Sequence, residues 1–469
     1  MASTQPKHLA PNSRPRKHPI LFILIGVIVV AGLVVGEYYA RPYLSSFYQQ
    51  LQNNSQATNA QQGTSATDAT ATSATDSTAT QTDEQATADG ETAEAETPEP
   101  VPAQPVKIEA MMIGDILMHD ALVQSGAQDD GSYNYDFLYE HIRPYIDAAD
   151  VRILNQETVM GYPENGFSMT NGAMGPIMNS PTALADSEAR FGFNLILNAH
   201  NHVYDQGYEG LAHEMDYWKA NYPTIPIIGV NNPNHAPGDE SQNYVDNVYV
   251  YEKDGFKIAF LNHTYDTNEH PNYETDGKFC SYMTEEKVRA DVQKARDLGV
   301  DLIVACPHWG VQYTTEPSDE EWTFSKLYTE LGVDLIFGCH PHILQHVEML
   351  RNATGHKTVC YYSLGNYVAS LMSPECLIGG VARATFVKEP DGTARVEAAS
   401  LVPTVICNTY GPNMTAFPIL DYTWDIASIN SSGMTPDGAQ AFCSEVFGAG
   451  YDQTTGVYTL NMADEGRLV

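Results

Sequence analysis

The sequence predicts a layered α/β domain, and three observations carry that prediction. From Lys107 onward, short apolar, β-rich runs alternate with helical stretches. The phrase LGVDLI is written twice, from Leu298 and again from Leu331; each time a glycine closes a helical run and an apolar strand follows. Five of the apolar runs lead into Asp, Glu, Asn or His, and the crevice outside the carboxyl ends of strands is where open α/β sheets bind ligands.

Two segments precede that domain in the 469-residue chain. Residues 20–36, ILFILIGVIVVAGLVVG, carry no charge, and at about 1.5 Å per residue they nearly span a hydrocarbon core of about 30 Å. They read as a transmembrane helix. A cleaved signal peptide would have a shorter apolar region and a small-residue cleavage site, and the GEYYARPYL that follows is a poor one. The basic flank of Lys7, Arg14, Arg16 and Lys17 places a tail, 1–19, in the cytoplasm and everything after Tyr38 outside. The expected location is therefore the cell membrane, single-pass, with the C-terminal domain extracellular. Residues 37–105 are expected to form a stalk, mostly disordered, because Ala, Thr, Ser, Gln, Asp and Glu without aliphatic bulk cannot offset the entropy of ordering.

The formal net charge of −35 lies almost wholly beyond residue 36. It excludes nucleic acid as an expected partner, since phosphate-backbone binding needs a basic face. It also repels a soluble polyanion unless bound cations intervene. Seven scattered cysteines are too few for a disulfide framework; Cys306, Cys339 and Cys360 sit in or beside apolar runs and read as buried thiols.

Within the domain the expected strands are 108–113, 151–154, 194–197, 225–228, 257–261, 301–305, 334–337 and 358–362. Two helices are well marked. One starts after Thr284 with acids in its first turn and stops at Gly299; the other starts after Ser318, which has capping-box spacing to Glu321, and stops at Gly332. The doubled phrase is thus a repeated helix-turn-strand unit, which needs no function to explain it. The residues after the strands are different. Asp115 follows the first strand with His119 beyond it; Asn155 and Glu157 follow the second; Asn201, His202 and Asp205 follow the third. His308 follows 301–305, and His340 and His342 follow 334–337. Oxygen and imidazole donors suit hard and borderline divalent ions, and a pair of ions about 3.5–4 Å apart needs a shared carboxylate. The count fits two.

This ordered set resembles the calcineurin-like metallophosphoesterase superfamily. Within it, NQE, NAHNHVYDQG, HWGVQY, GCHPHILQ and YSLGNYV are similar to the poly-gamma-glutamate capsule biosynthesis family of the CapA type, from about Lys107 to Val387. The resemblance implies a calcineurin-like metallophosphatase fold, a β-sheet sandwich flanked by helices, over 106–390, with 391–469 packing on it as an extension. It implies two divalent ions (Mn, Fe or Zn) as cofactors. Asp115 and His342 would serve one, Asn201 and His308 the other, with Glu157 between them and His340 completing one set. His202 would be the histidine beside the metals, oriented by Asp205. Asn366, in YSLGNY, either packs the loop under the site or contacts substrate, and Asn155 is an additional candidate. Three positions depart from the family pattern: Leu117 stands where the superfamily has a histidine ligand, so His119 is the available substitute; His200 replaces an Asn; Cys339 replaces a His. The loop 161–178 is a candidate lid.

The implied function is a metal-dependent hydrolase or transferase of capsule biosynthesis. Its partners would be an anionic cell-envelope polymer such as poly-gamma-glutamate, membrane synthase subunits, and the membrane itself through the N-terminal helix. A metal-dependent phosphoesterase is the second reading, and a non-catalytic polymer-binding or synthase-partner subunit the third.

Overall fold

The computed structural model describes residues 104–162, 166, 170–171, 176–235, 246–371, 373–409, 411 and 414–469. The tail 1–19, the segment 20–36, nearly all of the stalk 37–105 and much of the loop 161–178 lie outside the described residues. The expected single-pass membrane location is corrected by the structure: no helix among the described residues is long and apolar enough to cross a membrane. The longest, Gly207–Asn221, has 15 residues and carries Glu209, Glu214, Asp216 and Lys219; at about 1.5 Å per residue it falls short of a core of about 30 Å.

In chain order the strands are β1 (Val106–Ile116), β2 (Val151–Asn155), the short pair β3 (Thr170–Asn171) and β4 (Pro176–Ile177), β5 (Leu195–Leu197), β6 (Ile227–Ile228), β7 (Val248–Lys253), β8 (Phe256–Thr264), β9 (Leu302–His308) and β10 (Leu335–Phe337). They continue with β11 (Val347–Arg351), β12 (Lys357–Tyr361), β13 (Asn366–Val368), β14 (Ile378–Lys388), β15 (Ala394–Cys407), β16 (Thr415–Pro418), β17 (Tyr451–Asp452), β18 (Val457–Thr459) and β19 (Arg467–Leu468). One sheet runs β17-β18-β15-β14-β1-β2-β5-β6, with β13 also on β1 and β16 on β15. The other runs β19-β11-β12-β10-β9-β8-β7. Each contains a parallel block: β1, β2, β5 and β6, which reaches one edge of the first sheet, and β8, β9, β10 and β12 within the second. Antiparallel strands extend both, among them β14 and β15, which pair along nearly their whole length.

Strand alternation makes the layers. In the second sheet Phe256, Ile258 and Phe260, Leu302 and Val304, and Leu335 and Phe337 enter the large core shared with β1, β2 and β14. The residues between them, Ala259, Leu261, Ile303, Ala305 and Ile336, pack with Val288 and Val292 of the helix Glu285–Asp297 and with Leu327 and Tyr328 of the helix Asp319–Glu330. The result is an α/β fold of two mixed sheets with helices outside. Both helices start as expected: the Thr284 hydroxyl accepts from the Lys287 N–H, and Ser318 and Glu321 form a reciprocal capping box. The doubled phrase becomes two adjacent units, whose strands β9 and β10 pair in parallel with Leu335 opposite Val304.

At the far edge β19 pairs with β11, and the Arg467 guanidinium donates to both oxygens of Glu348 at 2.9 and 3.0 Å. Burial raises the Glu348 carboxyl, but hydrogen bonds involving His346, Arg467 and Tyr362 outweigh it and hold the group at about 2. A depressed carboxylate stabilises the fold above the unfolded value of about 4.3, and that stability is lost as pH falls through the folded value. Glu348→Gln should therefore lower the urea midpoint at pH 6, and its gap from the native protein should narrow between about pH 4 and pH 2. A gap that stays constant with pH would reject the ionic origin.

Candidate metal centre

The parallel strands of both sheets deliver their carboxyl ends to one rim. Asp115 lies in β1; β2 ends at Asn155 and leads to Glu157; β5 leads to Asn201 and His202; β9 ends on His308; β10 leads to His340 and His342; β13 begins at Asn366. Two glycines permit the close approach. A Cβ on Gly114 would run into the Gly365 carbonyl, and one on Gly338 into the Tyr362 carbonyl and the Trp309 indole nitrogen. Because backbone cannot yield there, Gly338→Ala should destabilise the fold by about 3 kcal/mol, measured by chemical denaturation. An unchanged midpoint would contradict this packing.

His340 and His342 both occupy the left-handed region, with φ of 102° and 58°. Non-glycine residues there cost of order 1–3 kcal/mol each and persist only where their surroundings hold them. Here the His340 N–H donates to Asp115 Oδ2 at 3.1 Å, and the Asn366 amide donates to the His342 carbonyl at 3.1 Å. The strain aims both rings into the rim.

The predicted donors converge. Asn155 Nδ2 donates to Asp115 Oδ1 at 2.8 Å and lies 3.2 Å from His308 Nδ1. His308 Nε2 is 3.0 Å from Asn201 Oδ1, 3.1 Å from His340 Nδ1 and 3.4 Å from Glu157 Oε1. His342 Nδ1 is 3.3 Å from Asp115 Oδ2 and 3.0 Å from Asn366 Oδ1, and its Nε2 is 3.8 Å from Glu157 Oε1. Two groups of possible ligands result, Glu157 with His308 and His340, and Asp115 with Glu157 and His342; within each, the ligand atoms lie within 4.8 Å of one another. Glu157 belongs to both. It is fully buried, and neither of its oxygens has a hydrogen-bond partner among the described residues. A buried carboxylate left so is expensive unless a cation satisfies it. Ligands about 2.1 Å from one ion at near right angles stand about 3 Å apart, which is the spacing of these donors. The residues fit divalent-metal binding, with Glu157 common to both donor groups. Both groups offer oxygen and imidazole and neither includes a cysteine; burial pushes the nearby Cys339 thiol well up, with Asp115 adding to the effect.

Charge within the cluster is mutually compensated. Burial opposes ionisation of Asp115, but the His342 hydrogen bond and the His342 and His308 charges win and lower it. Burial likewise opposes a charged His342, yet Glu157 and Asp115 push it up to about 9. His340 goes the other way, driven well down by burial and by His308 and His342.

Beside the ligands, His202 Nδ1 is 2.7 Å from Asp205 Oδ2, which also accepts from the Met178 N–H at 2.6 Å. Burial lowers His202, but the Asp205 charge and hydrogen bond outweigh it and raise the imidazole. Below it, His200 Nδ1 accepts from the His202 N–H at 3.1 Å and its Nε2 is 3.0 Å from Asn198 Oδ1, so this departure from the family pattern supports the site from beneath. Glu214 braces the same floor by accepting from the Gln156 and Asn198 amides and the Met160 N–H. His119 lines the cleft but stands outside both ligand groups; its Nδ1 is 3.1 Å from the Leu117 carbonyl and 3.3 Å from the Ser370 N–H.

The open face is a cleft of about 780 Å³ lined by His119, His202, Tyr265, Asn268, Tyr313 and His342, among others, with no Lys or Arg among its described lining. Tyr265 and Asn268 were not expected. They follow β8, whose carboxyl end reaches the same rim as its neighbours, and reading HTYDTN as one more strand end would have found them.

An α/β sandwich holding two donor groups that share one carboxylate defines a candidate metal-binding protein. Residues 109–370 match the family model described as Bacterial capsule synthesis protein PGA_cap, and the chain belongs to that family. It is 25% identical over 242 residues to the capsule biosynthesis protein CapA of Bacillus anthracis, covering 50% of this chain and 54% of that one. To the PGA biosynthesis protein CapA of Bacillus subtilis (strain 168) it is 24% identical over 241 residues, covering 50% and 57%. The chain thus spans about half the length of the curated relatives it matches. Solved structures with similarity include the NAD nucleotidase of Haemophilus influenzae, 15% identical over 65% of this chain and 51% of that one, with a TM-score of 0.39. The calcineurin-like phosphoesterase YfkN of Bacillus subtilis is 12% identical over 73% and 99%, with a TM-score of 0.36. Scores this low carry no argument about function.

Proposed function

We propose that the chain is a dinuclear metal-dependent hydrolase or transferase of capsule-polymer biosynthesis, acting on an anionic polymer such as poly-gamma-glutamate. The observation that carries the reading is Glu157, buried, without a hydrogen-bond partner among the described residues and common to both donor groups. Asp115, Glu157, His308, His340 and His342 would hold divalent ions, whose chemistry there would be Lewis-acid polarisation and a lowered pKa of water. The chain's own residues do the rest. Asp205 holds His202 by Nδ1, which leaves Nε2 to pass a proton to a leaving group. The floor formed by Glu214, Gln156, Asn198 and His200 keeps that pair and Glu157 in register.

Family membership and the names of the relatives support capsule polymer as substrate. A cleft without Lys or Arg among its described lining favours an acyl group over a phosphate ester, which basic side chains would be expected to grip. The polyanion's approach to a chain of net charge −35 is eased by the cations at the site. Polymer-synthase subunits are the expected protein partners. The test is turnover by the purified, metal-loaded chain of gamma-linked glutamyl peptides set against simple phosphate esters. Cleavage or transfer at the gamma-glutamyl bond supports the proposal; turnover of phosphate esters alone rejects the substrate; metal bound with neither reaction leaves a non-catalytic polymer- or partner-binding role.

A further inference from the structure

The segment Tyr265 to Asn268 is fastened at both ends to backbone beside the donors. The Tyr265 N–H donates to the His308 carbonyl at 2.9 Å, and the Asn268 N–H donates to the Asn201 carbonyl at 2.7 Å. Between them the Thr264 hydroxyl donates to the Asp266 carbonyl at 2.9 Å, and the hydroxyls of Thr267 and Tyr282 are 2.9 Å apart. So short a segment, tied to two ligand-bearing loops, cannot shift without moving them. It holds its side chains over the rim: the Tyr265 ring centroid is 4.5 Å from that of His340, and both Tyr265 and Asn268 line the cleft.

The Asn268 amide is only loosely engaged. Its Nδ2 is 3.5 Å from both ring nitrogens of His202, and an atom equidistant from the two is not aligned with either lone pair. Its Oδ1 accepts from Asn201 Nδ2 at a long 3.4 Å, which still sets the orientation of the amide with NH2 towards the histidine. Both residues are partly exposed, while the ligands around them are buried. Two neutral polar groups therefore stand at the mouth of a site that has no Lys or Arg among its described lining.

We infer that the Tyr265 hydroxyl and the Asn268 amide form a donor pair that binds an oxygen of the substrate's acyl or phosphoryl group and favours the tetrahedral, more negative form of that group. The inference rests on the proposed dinuclear site, because the oxygen must lie between the pair and the ions. Preorganised neutral donors aimed at developing charge are an established way to lower a barrier without binding the ground state tightly. Here Tyr265 and Asn268 supply them where Arg and Lys do not.

Inorganic phosphate is the probe, as a tetrahedral oxyanion common to both substrate chemistries. The full-length chain, loaded with Mn²⁺, is titrated with phosphate by calorimetry, and manganese per chain is measured on the same samples for the native protein, Tyr265→Phe and Asn268→Ala. Phenylalanine keeps the ring against His340, so Tyr265→Phe tests the hydroxyl alone. Each variant should weaken phosphate binding about tenfold, equivalent to about 1.4 kcal/mol, with manganese content unchanged. Variants that bind phosphate as tightly as the native protein overturn the donor pair and leave the metal site standing. Native protein that holds manganese but no phosphate overturns the donor pair as well. Native protein that holds no manganese removes the dinuclear reading and the inference together.

Discussion

Alanine at His308 is expected to abolish stoichiometric binding of at least one ion and to lower turnover more than a hundredfold. His308 is the hub of the cluster: its Nε2 is within 3.4 Å of Asn201, His340 and Glu157, and its Nδ1 is 3.2 Å from the Asn155 amide that also holds Asp115. Removal of residues that merely orient a ligand typically costs about 10–100-fold in affinity or activity, so loss of a ligand itself should exceed that. Folding should survive, because the ring is polar and ends its strand at the rim, while Leu302 and Val304 of β9 stay in the core. Elemental analysis checks the metal; circular dichroism checks the fold. A folded His308→Ala protein with its full metal complement would mean that the imidazole is structural.

Glu157→Gln is expected to have the second largest effect, and of a different kind. The substitution keeps size and burial but removes the charge that both donor groups share. A neutral amide would not offset the repulsion between two cations held by the two groups, which the carboxylate charge would. Metal content should fall from two ions per chain to at most one, and activity should fall with it. Stability should follow by mass action. Ligand at about a hundredfold excess over its Kd contributes about 2.7 kcal/mol, so chelation should lower the melting temperature of the native protein and change that of Glu157→Gln much less. Equal responses of the two proteins to chelator would contradict a bridging role.

Much of the second sheet was legible because its signals are local. The helix caps at Thr284 and Ser318, the stopping glycines at 299 and 332 and the apolar strands after them each depend on a few neighbouring residues. All eight expected strands have counterparts. The hairpin partner β7, absent from the expected strands, also carries a local signal: β-rich VYVYEK runs into the Asp254-Gly255 turn. β14 is harder, since Gly379 and Gly380 break its pattern near the start and only its pairing with β1 and β15 explains it as a strand. The short β13 could not be found from periodicity at all. Its three residues join the first sheet because Asn366 lies opposite Asp115.

At the site, residue types and strand-end placement pointed to the donors, but their partnerships needed three dimensions. Nothing in the spacing pairs Asn155 with His308 or Asn366 with His342, which lie in different sheets or on returning loops. His119, the substitute suggested by Leu117, lines the cleft outside both ligand groups, with its Nδ1 beside backbone partners. Tyr265 and Asn268 carry no ligand signature, and only their place just after β8 points to the cleft they line.

The most direct measurement is metal stoichiometry on the purified full-length chain, combined with the electron paramagnetic resonance spectrum of the manganese-loaded form. Two ions per chain and a spin-coupled spectrum are expected, both lost in Glu157→Gln. A chain that takes up no divalent metal, or one whose manganese is uncoupled and unaffected by that substitution, would contradict a carboxylate-bridged pair at the rim.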